Sequence, residues 1–173
     1  MFDAGKSLET IAFFKAHYHY DTTYMEEMLS HSPRSYEVFE NFLPMATFCH
    51  KAPLDAINVA RITAIIHQDC GTCAQLYVDL ALEAGLDKEI VKEVVYHQGQ
   101  NLPTHLKDLY DFTLTVSANE MIDEALYAKI NAHYSKEVLM EISLAIAATK
   151  VFPTIKRVLN LAQSCSLIHV KVS

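Results

Sequence analysis

Glycine and proline are scarce in this chain, and that scarcity limits its fold more than any other feature. Four glycines and five prolines among 173 residues cannot supply the frequent tight turns of a β-sandwich or barrel. The few present mark helix borders. Ser32-Pro33 reads as a cap followed by proline at the first helical position, Pro53 and Pro103 open further helices, and Gly85 and Gly99 close two more. Between such marks apolar residues recur at three and four, as in Ile57, Ala60, Ala64 and Ile65. Ser7 is placed to cap a segment running to about His19, and Asp21, Asp87, Asn119 and Ser135 to cap others. Pro44 predicts a kink or break in the segment begun at Pro33, and Pro153 predicts a kink near Lys150. No stretch alternates like a strand, and no linker or repeat stands out. The expectation is a single-domain, all-α helix bundle over residues 1–173.

Composition narrows the partners. At 51% hydrophobic and 20% charged residues the chain is too apolar for disorder. A net charge of −7 without a basic patch argues against nucleic acid. Lys150, Lys156 and Arg157, which surround Pro153, read as a solvated face. The start Met1-Phe2-Asp3-Ala4-Gly5-Lys6 lacks a basic segment followed by an apolar run, so no secretory signal is expected. The most apolar window, Ile142 to Thr149, falls well short of the roughly 20 residues of a membrane span. These features predict a soluble cytoplasmic protein without a membrane partner.

Chemistry concentrates at His67-Gln68-Asp69-Cys70-Gly71-Thr72-Cys73-Ala74-Gln75-Leu76-Tyr77. Two cysteines three apart at a helix start fall on one turn, the spacing of a reversible dithiol. The helix N-terminus favours thiolate over thiol there. In a reducing compartment such a pair is catalytic or metal-binding rather than a scaffold disulfide. Two other readings remain: a pair of small packing residues, or a zinc site completed by His67 and His97. Tyr77, four residues after Cys73, shares its helix face and can donate a hydrogen bond to a thiolate or a peroxide oxygen, or simply fill core. His67, three residues before Cys70, titrates in the range suited to proton transfer. Asp69 reads as the cap of the CxxC helix and, as a nearby anion, opposes thiolate formation. His17-Tyr18-His19-Tyr20 reads as a polar helix end rather than a metal cluster, and Cys49 and Cys165 as packing residues.

A helix opened by Pro53-Leu54-Asp55, an apolar run to the CxxC, a second helix ending in Gly85-Leu86, and then Asp87-Lys88-Glu89-Ile90 resemble the alkylhydroperoxidase D / carboxymuconolactone decarboxylase superfamily. Phe112, Asn119-Glu120 and the stretch Ser135 to Ile142 extend the resemblance, which covers about Phe42 to Cys165; the first forty residues fit only loosely. It implies an all-α subunit assembled into trimers or hexamers, with Cys73 attacking a peroxide and Cys70 resolving the sulfenic acid into a disulfide. Decarboxylase members generally lack the cysteine pair. Three positions depart from the family motif. Asn58 stands in place of a glutamate, Thr72 in place of a histidine between the cysteines, and Tyr77 in place of a second histidine. Asn58 can orient a water or substrate but cannot abstract a proton.

Together these readings predict a peroxidase-like thiol–disulfide oxidoreductase. Cys73 and Cys70 would be the reacting pair, with Thr72, Tyr77, Asn58 and His67 shaping the pocket. No bound cofactor or metal is expected. The partners would be a small peroxide or disulfide substrate, a thiol reductant and further copies of the chain, because segments such as Val138-Leu139-Met140 with Ile142 and Leu144 to Ala148 are apolar on several sides. The alternatives are a non-redox enzyme acting on a small carboxylate or lactone, and a non-catalytic oligomeric binding protein.

Overall fold

Every element that a computed structural model describes, over residues 2–161 and 168–170, is a helix or a connection between helices. Cys165 lies outside the described residues. An N-terminal group comprises α1 (Ala4–Tyr18), α2 (Thr23–His31) and α3 (Pro33–Thr47). Next come α4 (Leu54–His67), α5 (Gly71–Glu83), α6 (Lys88–Tyr96) and α7 (Thr104–Ser117). The chain continues through α8 (Glu124–His133), α9 (Lys136–Thr149) and α10 (Val151–Val158).

Helix α4 is the axis of the bundle. It buries Ala56, Ile57, Val59, Ala60, Ile62, Ala64 and Ile65, residues spread around its whole circumference, so neighbours must cover it on all sides. Helices α5, α6, α7 and α9 do so. A second core of Ile11, Tyr20, Tyr24, Met25, Leu29, Tyr36 and Phe39 joins α1, α2 and α3. Phe152 of α10 packs against both cores. The first forty residues therefore build a wall against the CxxC helix.

Most helix borders lie where the caps and breakers put them. Ser32 accepts from the Ser35 amide with Pro33 at the first helical position. Gly85 stops α5 at φ +89, a conformation glycine reaches without strain, and the Leu86 amide then returns to the Ala81 carbonyl. Three expectations are corrected. The cap of α1 is Asp3, which accepts from the amides of Gly5 and Lys6, while Ser7 lies inside the helix and donates to Glu40. Asn119 caps no helix; it takes the left-handed conformation at φ 59, as a short polar side chain readily does, and Asp123 caps α8 instead. Of the kink or break expected at Pro44, the break does not occur, and α3 runs through to Thr47. Near Pro153 the expectation is met, since α9 gives way to α10 at Lys150.

The apolar run at this end is longer than its sequence window suggested. Lys136–Val158, taken as one helix, is long and apolar enough to cross a membrane by length and composition. Its packing belongs to a bundle: α9 lies against α3 and α4, and the run buries Glu141 and Lys156, charges that a lipid-facing helix would leave without water.

Candidate redox site

Helix α4 ends at His67 and the chain turns at once, with Gln68 returning its amide to Ile65 and Asp69 at φ 50. This turn delivers Cys70 in extended conformation as the N-cap of α5. Cys70, rather than Asp69, is therefore the N-cap residue, and its own side chain makes no capping hydrogen bond. Thr72 and Cys73 follow inside the turn. Cys70 and Cys73 are joined by a disulfide with their Cα atoms 5.3 Å apart, and both are buried, at 3% and 1% exposure. Cys49, the free cysteine among the described residues, is exposed; it is not the packing residue expected.

Of the pair, Cys73 lines an apolar cavity whose walls do not include Cys70. Cys73 lines a cavity of about 170 Å³ with Leu76, Tyr77 and Leu80 of its own helix face. The opposite wall comes from Phe14, Tyr20, Tyr24 and Phe152. The Tyr20 hydroxyl stands 3.8 Å from Cys73 Sγ. A local clamp fixes Tyr20: His17 and Tyr18 at the end of α1 both bond to Glu83 at the end of α5, at 3.2 and 2.6 Å. His17, Tyr18 and His19 are thus the polar helix end the sequence predicted, whereas Tyr20 is buried and sets one wall of the site.

Lys156 reaches the same place from α10. Its Nζ donates to Thr72 Oγ1 at 3.2 Å and lies 4.3 Å from the Tyr20 ring centre and 5.1 Å from that of Tyr24, within cation–π reach of both. The Thr72 hydroxyl is in turn 3.8 Å from Cys70 Sγ. Lys156 is 1% exposed, so its reading as part of a solvated face is corrected. Burial pulls its ammonium down to about 8, with Asp21 opposing the shift. Burial acts on the phenols in the other direction. Tyr77 is pushed up to about 12, partly offset by Arg61, and Tyr20 and Tyr24 are raised mainly by loss of solvent. At neutral pH all three hydroxyls keep their protons and can act only as hydrogen-bonding groups, not as bases.

The structure brings Cys70, Thr72, Cys73 and Tyr77 together and leaves two of the expected residues elsewhere. Asn58 is buried in α4 and donates to the Leu54 carbonyl at 2.9 Å, a bond within its own helix that occupies the amide. His67 is exposed at the end of α4. Neither lines the cavity. Tyr77 does line it, yet the phenol near the sulfur is Tyr20. Tyr20, Tyr24 and Lys156 are absent from the sequence reading of the site. One signal pointed to Lys156: Phe152 lies four residues before it and so on the same helix face. Among the described residues no three His, Cys, Asp or Glu side chains converge as metal ligands would. Compared with known protein families, curated proteins and solved structures, the chain finds no match.

Proposed function

We propose that the protein is a thiol–disulfide oxidoreductase that reduces small hydroperoxides through Cys70 and Cys73. The observation that carries this reading is the disulfide itself, formed at a helix N-terminus with Cys73 facing a cavity. Disulfides of this kind, between near neighbours in a short loop, add little to stability; their value lies in opening and closing.

In the cycle proposed, the Cys73 thiolate attacks the terminal peroxide oxygen. The O–O bond breaks, the alcohol leaves after taking up a proton, and Cys73 becomes a sulfenic acid. Cys70 then forms the S–S bond as the S–O bond breaks, and the departing hydroxide takes a proton to leave as water. A dithiol reductant from outside returns two electrons and restores the pair, a step suited to a reducing cytoplasm. Tyr20, held near Cys73, supplies a hydrogen bond to the sulfur or to the peroxide oxygen. The apolar walls exclude water and favour a substrate with a small hydrocarbon group.

The resemblance to the alkylhydroperoxidase D superfamily supports the same assignment and suggests a homotrimer or a hexamer. The cavity weighs against a purely structural pair, which would need no space beside Cys73. The test is consumption of cumene hydroperoxide by the protein with a dithiol reductant, in wild type and in Cys73→Ser and Cys70→Ser. Turnover that is lost in Cys73→Ser supports the reading. Absence of turnover in the wild type, or full turnover in both variants, refutes it.

A further inference from the structure

Lys156 is the only buried lysine or arginine among the described residues. Other buried charges have partners. Glu141 accepts backbone amides of residues 50–52, and Asp108 pairs with Lys129. Lys156 forms no ion pair with any described residue; hydroxyl and ring contacts hold it instead. Removing an ammonium from water is costly without an opposite charge. That cost is recovered in any state where an anion appears beside it. Reduction of the neighbouring disulfide gives two thiols, and loss of a proton from one of them supplies such an anion.

The contacts already point in the required direction. Lys156 Nζ donates to Thr72 Oγ1, which leaves the Thr72 hydroxyl proton available to Cys70 Sγ at 3.8 Å. Two hydrogen bonds in series, each polarising the next, carry the ammonium's effect to the sulfur. We propose that Lys156 is a positioning residue of the dithiol, acting through Thr72 as the counter-charge that holds Cys70 as a thiolate when the pair is reduced. The proposal rests on the reading of Cys70 and Cys73 as a redox pair. It concerns the resolving sulfur, Cys70, and leaves the attacking role with Cys73.

The other groups around the pair set the balance. Asp21, at the start of α2, acts on Lys156 in favour of its charged form. Asp69 adjoins Cys70 and opposes a thiolate. Arg157 donates to the Gln68 carbonyl beside the turn and favours one. Tyr20, Tyr24 and Tyr77 remain neutral across the useful range.

The test needs no peroxide. The protein is reduced with a phosphine, exposed to iodoacetamide at a series of pH values, and the alkylation rate of Cys70 is followed by peptide mass. In wild type the midpoint should lie at least about one unit below the ordinary thiol value of roughly 8.5. Lys156→Met and Thr72→Val should each raise the midpoint and slow alkylation at pH 6.5 by about tenfold. Thr72→Ser, which keeps the hydroxyl, should retain the low midpoint. Thr72→Val preserves shape and decides the question if Lys156→Met fails to fold. An ordinary midpoint in wild type, or an unchanged one in Thr72→Val, overturns the proposal. A low midpoint that depends on Thr72 and Lys156 in a protein without peroxide turnover would refute the peroxidase reading and leave this one standing.

Discussion

The hydroxyl of Tyr20 lies 3.8 Å from Sγ of Cys73 across 53 residues of sequence. The clamp of His17 and Tyr18 on Glu83 ties the end of α1, next to Tyr20, to the far end of the helix that carries Cys73. A hydroxyl here can stabilise charge on the sulfur or on the leaving oxygen as the O–O bond breaks. Tyr20→Phe keeps the ring over Lys156 and removes only that group. Peroxide turnover should fall by about tenfold, with helical content unchanged. Steady-state kinetics beside circular dichroism checks this, and unchanged turnover would remove Tyr20 from the mechanism.

Stability of the oxidised protein should respond to pH through Lys156. Its ammonium is held at about 8 in the fold against an ordinary 10.5. Between these values the unfolded chain binds more protons than the native one, so this group's contribution to stability rises with pH across that window. The raised tyrosine values act oppositely, but only from about pH 10 upward. Lys156→Met should therefore stabilise the disulfide form at pH 7 by about 1–3 kcal/mol. The advantage over wild type should shrink as pH rises from 8 to about 10. Urea unfolding of both proteins at pH 7, 8, 9 and 10 measures the difference.

Glu141 gives the opposite dependence. Its carboxylate accepts from the amides of His50 and Lys51 at 2.9 Å and of Ala52 at 3.0 Å, and these bonds hold it below the ordinary carboxyl range. A depressed carboxyl contributes stability that is present at neutral pH and lost as pH falls through its folded value. Glu141→Gln puts an amide donor among three N–H groups and should lower Tm by several degrees at pH 7. The gap from wild type should close below about pH 4, as thermal melts at both pH values will show.

These residues also mark what could be read from the sequence. The all-α class and most helix borders were legible because they depend on neighbours in the chain, as at Ser32-Pro33 and Gly85-Leu86. Two borders moved because more than one residue could serve. Asp3 competes with Ser7 for the same helix start, and Asn119 fits a left-handed close as well as a cap. The cysteine pair was legible from spacing alone. Its surroundings were not, since Lys156 reads as solvent-exposed until α10 is known to pack beside the tyrosines of α1 to α3. The same packing explains why the sequence chose Tyr77 by its helix spacing and passed over Tyr20.

Exposed apolar side chains on α9 lead to a prediction of self-association. Met140 and Leu144 are 65% and 37% exposed and stand four residues apart on one face of that helix. A second copy covering them would bury the patch, and the resemblance suggests three- or sixfold assembly. The wild type should elute as a trimer or hexamer by light scattering with size exclusion at micromolar concentration, with each contact burying more than roughly 1,000 Å². Met140→Glu with Leu144→Glu should shift the mass toward monomer. A monomeric wild type would count against the assembly.

In the proposed cycle a peroxide closes the Cys70–Cys73 bond. The direct measurement is a titration of reduced protein with substoichiometric hydroperoxide under argon, followed by rapid blocking of free thiols and peptide mass mapping. The expected result is one Cys70–Cys73 disulfide for each peroxide consumed, with Cys49 remaining free and Cys70→Ser trapping a sulfenic acid on Cys73. Recovery of both motif cysteines as blocked free thiols after the peroxide has been added would contradict it.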